Sequence, residues 1–397
     1  MADKTIIYTP GHSLYTDTLT MYGLIYSIIA GLGEKISELL RPGSLTVRGL
    51  GTHYLIETKY DLDFIAEGAR KASNELVRED LLKGGLVGMF DNKYVTNALN
   101  ALRDVKTFVD YLEELQEPGH ARSEGKIGRK GVTFKLPLIP IAGKYFTTDI
   151  TSTRKYDVKQ YNACCGCIGL SMLGLARGAL VFPQPFARMV LTISFEGETA
   201  GYFFKHLYEL LGSVLQVERE RLRVFREKKK KKEEKIPASN FSYIASCIDI
   251  LPLRVLTYSA IVMLSNEVID AMNSVDARWH ALTVKFDTKR GIQVRGYQGF
   301  EVGTLIINLA KIIDEGQASN LRSLVRFLLQ RANLSRLGRA PPGASYAIDS
   351  LDYLTSYLSS LSFGFLYNFT RSYYKASDRK DGIHDLCETL MRLALHE

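Results

Sequence analysis

The spacing of apolar residues predicts a helix near the start of the chain. Apolar side chains recur at intervals of three and four, at Met21, Ile25, Ile28, Leu32, Ile36 and Leu39. A helix with this spacing carries them on one face. Ser13 or Thr16 is the expected N-cap, and Pro42-Gly43 is the expected end of the helix.

Alternation of apolar and polar residues predicts two hairpins and one further strand. SLTVR and THYLIET alternate around Gly49-Leu50-Gly51, and ALTVKF and IQVRGY flank residues 287–291. Residues 188–195 have the same strand character. The sequence therefore predicts short antiparallel sheets in the first three quarters of the chain.

Helical periodicity accounts for most of the remaining chain. We expect helices at residues 62–82, 94–115, 199–226 and 241–273, the last interrupted near Pro252. From Val302 onward the pattern is helical, with breaks at Gly316 and at residues 341–343 and 378–382. The predicted fold class is α+β. A mixed α/β N-terminal domain, residues 1–300, is followed by a C-terminal helical bundle, residues 301–397.

Positive charge is concentrated in residues 120–160, which we call the basic segment. Nine lysines and arginines there are opposed only by Glu124, Asp149 and Asp157. Glycines among them predict an irregular loop, which can follow a phosphate backbone while interleaved aromatic rings stack on bases. An ordinary solvated loop is the alternative interpretation.

The candidate nucleic-acid contacts come from the basic segment and from the second hairpin. They are Arg122, Lys126, Arg129, Lys130, Lys144, Arg154, Lys155 and Lys159, together with Lys289 and Arg290. Residues 227–235, EKKKKKEEK, form a further charge run that we expect to be a solvated linker. On a helix from Asn320, Arg322, Arg326 and Arg336 share one side, as a cationic stripe or as ordinary solvated arginines.

The most apolar stretch of the chain directly follows the basic segment. It is YNACCGCIGLSMLGLARGAL, residues 161–180, and no charged residue precedes Arg177 in it. A glycine in a helix interior costs about 1 kcal/mol relative to alanine. We therefore expect Gly166, Gly169, Gly174 and Gly178 to be compensated by close packing against a neighbouring element.

Three of the five cysteines are crowded together at Cys164, Cys165 and Cys167. Only Cys164 and Cys167 have the C-x-x-C spacing of a zinc site, and no second pair is near in the sequence. Buried, inert thiols are the favoured interpretation, with zinc as the alternative. We predict no metal and no cofactor.

Charge and the absence of known catalytic motifs favour a binding protein over an enzyme. The net charge of +8 and pI of about 9.0 suit a polyanionic partner. No G-x-x-x-x-G-K-[ST] phosphate loop and no cluster of His and Asp at metal-ligand spacing occurs in the sequence. No catalytic residue is therefore predicted. Apolar runs fall short of the roughly 20 residues that span a bilayer, so we expect a cytoplasmic protein with no membrane partner.

Two stretches of sequence resemble a known family. PGHSLYTDTLTMYGLIYSI, residues 10–28, and YNACCGCIGLSMLGLARGAL, followed by a helical C-terminal part, are similar to the large subunit of the type I-A CRISPR interference complex (Cascade). The resemblance implies a non-enzymatic subunit that checks the protospacer-adjacent motif in duplex DNA, helps to open the duplex and recruits the helicase–nuclease. Its implied partners are crRNA, target DNA and the backbone, handle-binding and small subunits.

Two functions of other classes remain open at the level of sequence. One is a nucleic-acid-modifying metalloenzyme whose ligands come from distant segments. The other is a structural subunit whose basic segment packs on acidic protein neighbours. Salt-sensitive binding of nucleic acid distinguishes the second from a DNA-binding role.

Overall fold

The chain is described by a computed structural model. It describes residues 4–78, 92–120, 132–133, 162–182, 187–228, 240–287, 293–336, 343, 345–377 and 383–395. The strands are β1 Thr5–Tyr8, β2 Leu45–Gly49, β3 Tyr54–Thr58, β4 Val132–Thr133, β5 Asn162–Ala163, β6 Ala179–Phe182, β7 Ala187–Ala200, β8 Ala277–Asp287 and β9 Gln293–Glu301.

Helices surround these strands and occupy the C-terminal part. They are α1 Leu14–Leu32, α2 Leu62–Arg78, α3 Asn92–Arg103, α4 Val105–Glu114, α5 Cys165–Arg177, α6 Gly201–Lys228, α7 Asn240–Ser246, α8 Leu253–Val262, α9 Asn266–Asn273, α10 Gly303–Asp314, α11 Ala318–Arg336, α12 Tyr346–Ser360, α13 Phe363–Ala376 and α14 Ile383–Leu395. A 3-10 helix, Gly33–Leu40, follows α1. The predicted α+β class, with a sheet first and helices last, is confirmed.

Seven of the strands form one antiparallel sheet in the order β1-β3-β2-β7-β8-β9, with β6 also paired to β7. Both predicted hairpins are present, as β2–β3 and β8–β9. The long strand β7 joins them. On one side β6 pairs with its first half and β2 with its C-terminal end, and on the other side β8 pairs along most of its length. The hairpins, which the sequence shows as separate units, thus belong to a single sheet.

Helix α1 begins where the sequence predicts and ends earlier. Ser13 is the N-cap, and its hydroxyl accepts a hydrogen bond from the Thr16 backbone N–H at 3.3 Å. The predicted extension to Pro42-Gly43 is wrong, because the backbone turns at Gly33 with φ 55°. Only glycine adopts this conformation without strain.

Helix α1 is also buried on every side, rather than on one apolar face. All residues from Tyr15 to Ile29 are buried, including several hydroxyl side chains. These hydroxyls are hydrogen-bonded: Thr18 to the Leu14 carbonyl at 2.6 Å, and Thr20 to the Ser171 hydroxyl at 2.9 Å. Hydrogen bonding of this kind lets polar side chains be buried at little cost.

Asp17 is the buried charge in the first turn of α1. Its carboxylate accepts hydrogen bonds from the backbone N–H groups of Gly11 at 2.7 Å and Ser13 at 2.9 Å. Burial raises the pKa of Asp17 to about 6, although these hydrogen bonds act in the opposite direction. Asp17 therefore fixes the turn that leads from β1 into α1.

Glycines let α1 and α5 touch through their backbones. A Cβ added to Gly174 would lie 1.8 Å from the Leu19 carbonyl oxygen, and one added to Gly23 would lie 2.0 Å from the Leu170 carbonyl oxygen. On the α2 side of α1, a Cβ on Gly68 would lie 1.9 Å from the Ser27 carbonyl oxygen. The expected compensation of helical glycines by close packing is confirmed.

Two predicted helices are divided by caps. The predicted helix at residues 94–115 is two helices, since the Asp104 side chain caps α4 by accepting from the Thr107 backbone N–H. In the predicted helix at residues 241–273, the expected interruption near Pro252 is confirmed, since Pro252 is the N-cap of α8. A second break was not predicted, and there Ser265 caps α9. Ser and Asp compete with helical hydrogen bonding in this way wherever the chain can change direction.

Contacts between helices extend across residue 300. The Cys247 thiol lies 3.2 Å from the Leu329 carbonyl oxygen, and the Arg322 guanidinium donates to the Val262 and Leu264 carbonyl oxygens at 3.1 and 2.7 Å. Helices α7 and α8 thus pack on α11. The domain boundary near residue 300 stays a prediction.

Among the described residues, no single helix is long and apolar enough to cross a membrane. The pair α8 and α9, bent by 101°, reaches that length and composition only when the two helices are taken together.

The glycine contact predicts a large effect from a very small substitution. Gly174→Ala should lower the free energy of unfolding by roughly 1–3 kcal/mol, because its methyl group would overlap the Leu19 carbonyl oxygen. Gly212→Ala in α6 is the matched control, since no described atom lies within 4 Å of its added Cβ. That variant should be neutral or more stable by up to about 1 kcal/mol. Equal melting temperatures for the two variants would contradict the packing.

Asp17 predicts a pH dependence of stability with a definite sign. The pKa of Asp17 is about 6 in the folded protein and about 3.9 in the unfolded chain. Its contribution to the free energy of unfolding is therefore complete below the unfolded pKa and is lost as pH rises through the folded pKa. Between about pH 4.5 and about pH 7.5 the wild type should lose roughly 2 kcal/mol relative to Asp17→Asn, which does not titrate. Chemical denaturation of both proteins across this range measures it. If the wild type instead becomes more stable relative to Asp17→Asn as pH rises, the hydrogen bonds from the backbone lower the pKa of Asp17 by more than burial raises it.

Candidate nucleic-acid interface

The ten predicted contact residues lie outside the described residues. In the basic segment these are Arg122, Lys126, Arg129, Lys130, Lys144, Arg154, Lys155 and Lys159, and in the second hairpin they are Lys289 and Arg290. Their contribution to binding stays a prediction. The structure describes the two places where the chain enters and leaves the basic segment.

The two ends of the basic segment meet. His120, which begins the segment, is buried, and its Nε2 lies 3.6 Å from Sγ of Cys164, four residues after the segment ends. Between them, β4 pairs with β5 in antiparallel register, Val132 opposite Ala163. The residues that carry the predicted charges are therefore tied at both ends to one point of the fold.

The ends of the basic segment meet at helix α5, which is firmly packed in the fold. Cys164 is its N-cap, and all residues from Gly166 to Ala176 are buried. The close backbone contact with α1 holds one side of it. On another side, a Cβ added to Gly169 would lie 2.7 Å from Cγ of Leu102 in α3. The sequence prediction that the basic segment connects directly to a buried element is confirmed.

A cluster of polar side chains occupies the same point. The Cys167 backbone N–H donates to Cys164 Sγ at 3.3 Å, and the Tyr111 hydroxyl donates to Cys167 Sγ at 3.2 Å. On the far side of the imidazole ring, His120 Nδ1 lies 3.1 Å from a carboxylate oxygen of Glu114. Sequence reasoning missed His120 and Glu114 as neighbours of the cysteines, because about fifty residues separate them along the chain.

Three tight turns form a cleft beside this cluster. The cleft has a volume of about 270 Å³ and is lined by Thr9, Pro10, Gly11, Thr52, His53, Pro118 and Gly119. Gly11 has φ 87° and Gly119 has φ 97°, a conformation that favours glycine. Asp17 fixes the first turn, and the Tyr54 backbone N–H donates to the Thr9 hydroxyl at 2.9 Å. The cleft adjoins the start of the basic segment, and its lining contains no acidic side chain.

Two described cations, Lys285 of the second hairpin and Arg188 of the adjacent strand β7, are partly buried. Lys285 Nζ donates to the Ile248 carbonyl oxygen at 2.6 Å. Arg188 lies opposite Phe286 on the neighbouring strand and is half-buried, which lowers its pKa. These two cations serve the fold, whereas Arg278 of β8 is exposed and pairs with Glu196. The predicted contacts Lys289 and Arg290 lie outside the described residues, so their role stays a prediction.

Arg322 corrects the expected row of surface arginines on α11. It is half-buried, and by donating to the carbonyl oxygens of Val262 and Leu264 it satisfies the C-terminal end of α8. Neither a cationic stripe nor a solvated arginine describes this residue. Its role depends on a helix distant in sequence, so helical periodicity alone could not predict it.

A second surface carries exposed aromatic rings. Phe363, Tyr367 and Tyr374 of α13 are 49%, 67% and 37% exposed. At about 100° per residue these three lie within about 40° of one another around the helix, while Phe365, 37% exposed, lies on another side. Aromatic side chains concentrated on one exposed face are typical of interaction surfaces. The sequence analysis did not identify this face, because the same spacing is typical of a buried core.

Comparison with known proteins identifies the family of the chain. A family model described as "CRISPR-associated protein (Cas_Csa4)" matches residues 5–394. A protein of Thermoproteus tenax named "CRISPR system associated protein Cas8" is 29% identical over 195 residues, or 43% of this chain and 51% of the relative. The chain thus spans about half the length of that relative. The match of the family model over nearly the whole chain confirms the resemblance to a CRISPR large subunit, and the chain belongs to the CRISPR-associated Cas_Csa4 family.

Proposed function

We propose that the chain is the non-enzymatic large subunit of a type I-A CRISPR interference complex. In this role it recognises the protospacer-adjacent motif in duplex DNA, aids opening of the duplex and recruits the helicase–nuclease. The observation that carries the proposal is that the ends of the basic segment meet: His120 Nε2 and Cys164 Sγ lie 3.6 Å apart at the N-terminal end of the buried helix α5. The sequence between these two ends contains nine lysines and arginines, an excess of positive charge that attracts a polyanion.

The chemistry of the basic segment suits the phosphate backbone of DNA. Lysine and arginine among glycines are not preorganised for base edges, and they neutralise phosphates whatever the sequence. Motif discrimination then falls to one or two residues, for which Lys126 and Arg129 are our candidates. A bidentate contact from arginine to guanine is the commonest specific contact of this kind.

The cleft at the start of the basic segment supports the same assignment. Its wall consists of the backbone of three turns, and glycines there allow close approach of a ligand. The residues that line the cleft include no acidic side chain, and the nearby Asp17 carboxylate is buried and accepts hydrogen bonds from the Gly11 and Ser13 backbone N–H groups. We assign the cleft as the continuation of the DNA path.

The proposal includes defined macromolecular partners. They are crRNA and target DNA, the backbone, handle-binding and small subunits of the complex, and the helicase–nuclease. The family match supports a CRISPR-associated role, and the aromatic face of α13 offers an accessible surface for a protein subunit.

The salt dependence of DNA binding tests the basic segment. Changing Arg129, Lys130, Arg154 and Lys155 together to Ala should flatten the slope of log K against log salt by roughly 2–4, because each phosphate contact contributes about 0.9. Binding should weaken alike for motif-bearing and motif-free duplexes if these residues only position the DNA. The measurement is a salt titration with the protein assembled in its complex.

A matched quadruple variant controls for net charge. Lys59, Arg70, Arg278 and Arg392 each form an ion pair with a glutamate, so changing them to Ala removes four cations already engaged on the protein surface. The slope should stay within experimental error of the wild type. An unchanged slope in the basic-segment variant, or an equal change in both variants, would exclude the segment as the DNA site.

The non-enzymatic part of the proposal has its own test. With Mg²⁺ or Mn²⁺, the highly purified chain should neither cleave DNA or RNA nor hydrolyse ATP above background, because no phosphate loop or cluster of His and Asp occurs in its sequence. Turnover that co-purifies with the chain and disappears on substitution of one of its carboxylates would establish an enzyme instead.

A further inference from the structure

We propose that His120, Cys164 and Cys167 bind one zinc ion, which joins the two ends of the basic segment. This goes against the sequence-based expectation of inert thiols and no metal. That expectation considered only the cysteines, whereas the fold brings a buried histidine to them. The inference rests on the geometry of the cluster and does not depend on DNA binding.

The distances suit tetrahedral zinc. With Zn–N of about 2.0–2.1 Å and Zn–S of about 2.3 Å at a tetrahedral angle, the N···S edge is about 3.6 Å. His120 Nε2 and Cys164 Sγ lie 3.6 Å apart. The three ligand atoms all lie within 4.8 Å of one another. Ordinary side-chain rotation brings the longer edges to the roughly 3.6–3.8 Å that the ion requires.

The surroundings favour thiolates, which are the form that binds metal. Cys164 is the N-cap of α5, where the helix dipole favours negative charge. Its sulfur accepts from the Cys167 backbone N–H at 3.3 Å, and the Cys167 sulfur accepts from the Tyr111 hydroxyl at 3.2 Å. Gly166, between the two cysteines, makes room for the Tyr111 ring, which a Cβ would meet at 2.9 Å.

Glu114 orients the histidine for a metal. Its carboxylate lies 3.1 Å from His120 Nδ1, so that nitrogen carries the proton and Nε2 presents its lone pair towards the sulfurs. A carboxylate on the far side of a ligating imidazole is a regular feature of zinc sites. The imidazole of His120 is buried and the Glu114 side chain is largely exposed, so a carboxylate at the surface holds the orientation of a buried ring.

A zinc ion would use all three ligand atoms at once. A disulfide between Cys164 and Cys167 would use only the two sulfurs, and a thiol nucleophile activated by His120 would use only one of them. Two thiolates and one neutral imidazole form a soft donor set, which favours zinc over magnesium or calcium. A water molecule would complete the fourth position.

The bound ion would act as a clip at the base of the basic segment. It would link His120 to Cys164 and Cys167 and so close the intervening chain into a loop. Closing a long loop through a metal restricts the unfolded chain, so the zinc-loaded protein should also melt at a higher temperature.

Metal analysis of the full chain, purified without chelators, tests the proposal. The wild type should hold about one zinc per chain, and Cys164→Ser, Cys167→Ser and His120→Ala should each lose most of it. Cys165→Ser is the matched control, because Cys165 lies between the two cysteine ligands in sequence and is not in the cluster. This variant should keep the zinc. Glu114→Gln should retain the site with roughly 10–100-fold weaker affinity in chelator competition.

A measurement on the wild type alone covers the case in which a variant fails to fold. Replacing zinc by cobalt(II) should give a thiolate-to-cobalt charge-transfer absorption with one equivalent of metal. Three results would overturn the proposal: a folded wild type that takes up neither zinc nor cobalt, an intact Cys164–Cys167 disulfide in the protein purified without reductant, and loss of the metal in Cys165→Ser as complete as in Cys164→Ser. Rapid alkylation of a single thiol in a metal-free wild type would identify a nucleophile instead.

Discussion

Backbone contact between α1 and α5 is the constraint on which the rest of the structure depends. Gly174 meets the Leu19 carbonyl oxygen and Gly23 meets the Leu170 carbonyl oxygen at distances that leave no room for a methyl group. The contact brings α5 against a helix that is itself buried from Tyr15 to Ile29. Interiors packed at this density transmit position from one element to the next. Whatever is attached to the N-terminus of α5 is therefore held in a defined place.

What is attached there is the base of the basic segment. Cys164 is the N-cap of α5, and His120, which lies a few residues after the end of α4, contacts it. Close approach of α3 to Gly169 and of the Tyr111 ring to Gly166 holds the remaining sides. The same glycines that pack the core thus position the cysteines and the histidine. A strongly charged segment with anchored ends can present its cations to DNA at a lower entropic cost than one with free ends.

Local features of the sequence predicted much of the fold. Three correct predictions depend on residues near one another in the chain: Ser13 as N-cap of α1, the two hairpins, and the break at Gly316. The break between α12 and α13 at Leu361 was not predicted. Other features depend on residues far apart in the chain, which periodicity does not report. They are the burial of α1 on all sides, the hydrogen bonds of Arg322 and the contact of His120 with Cys164. At the candidate site, the sequence predicted the charge and the cysteines and missed the histidine and its glutamate. The family resemblance, carried by the α1 and α5 sequences, was confirmed.

Cross-linking of DNA to the assembled complex tests the central claim most directly, because it locates the contact on the chain. A duplex carrying photoreactive nucleotides beside the protospacer-adjacent motif should become attached to peptides from residues 122–159, with a smaller contribution from residues 288–292. Peptides of the first turn, residues 9–13, should follow if the cleft continues the path. Attachment confined to the C-terminal helices, with none in the basic segment, would contradict the account.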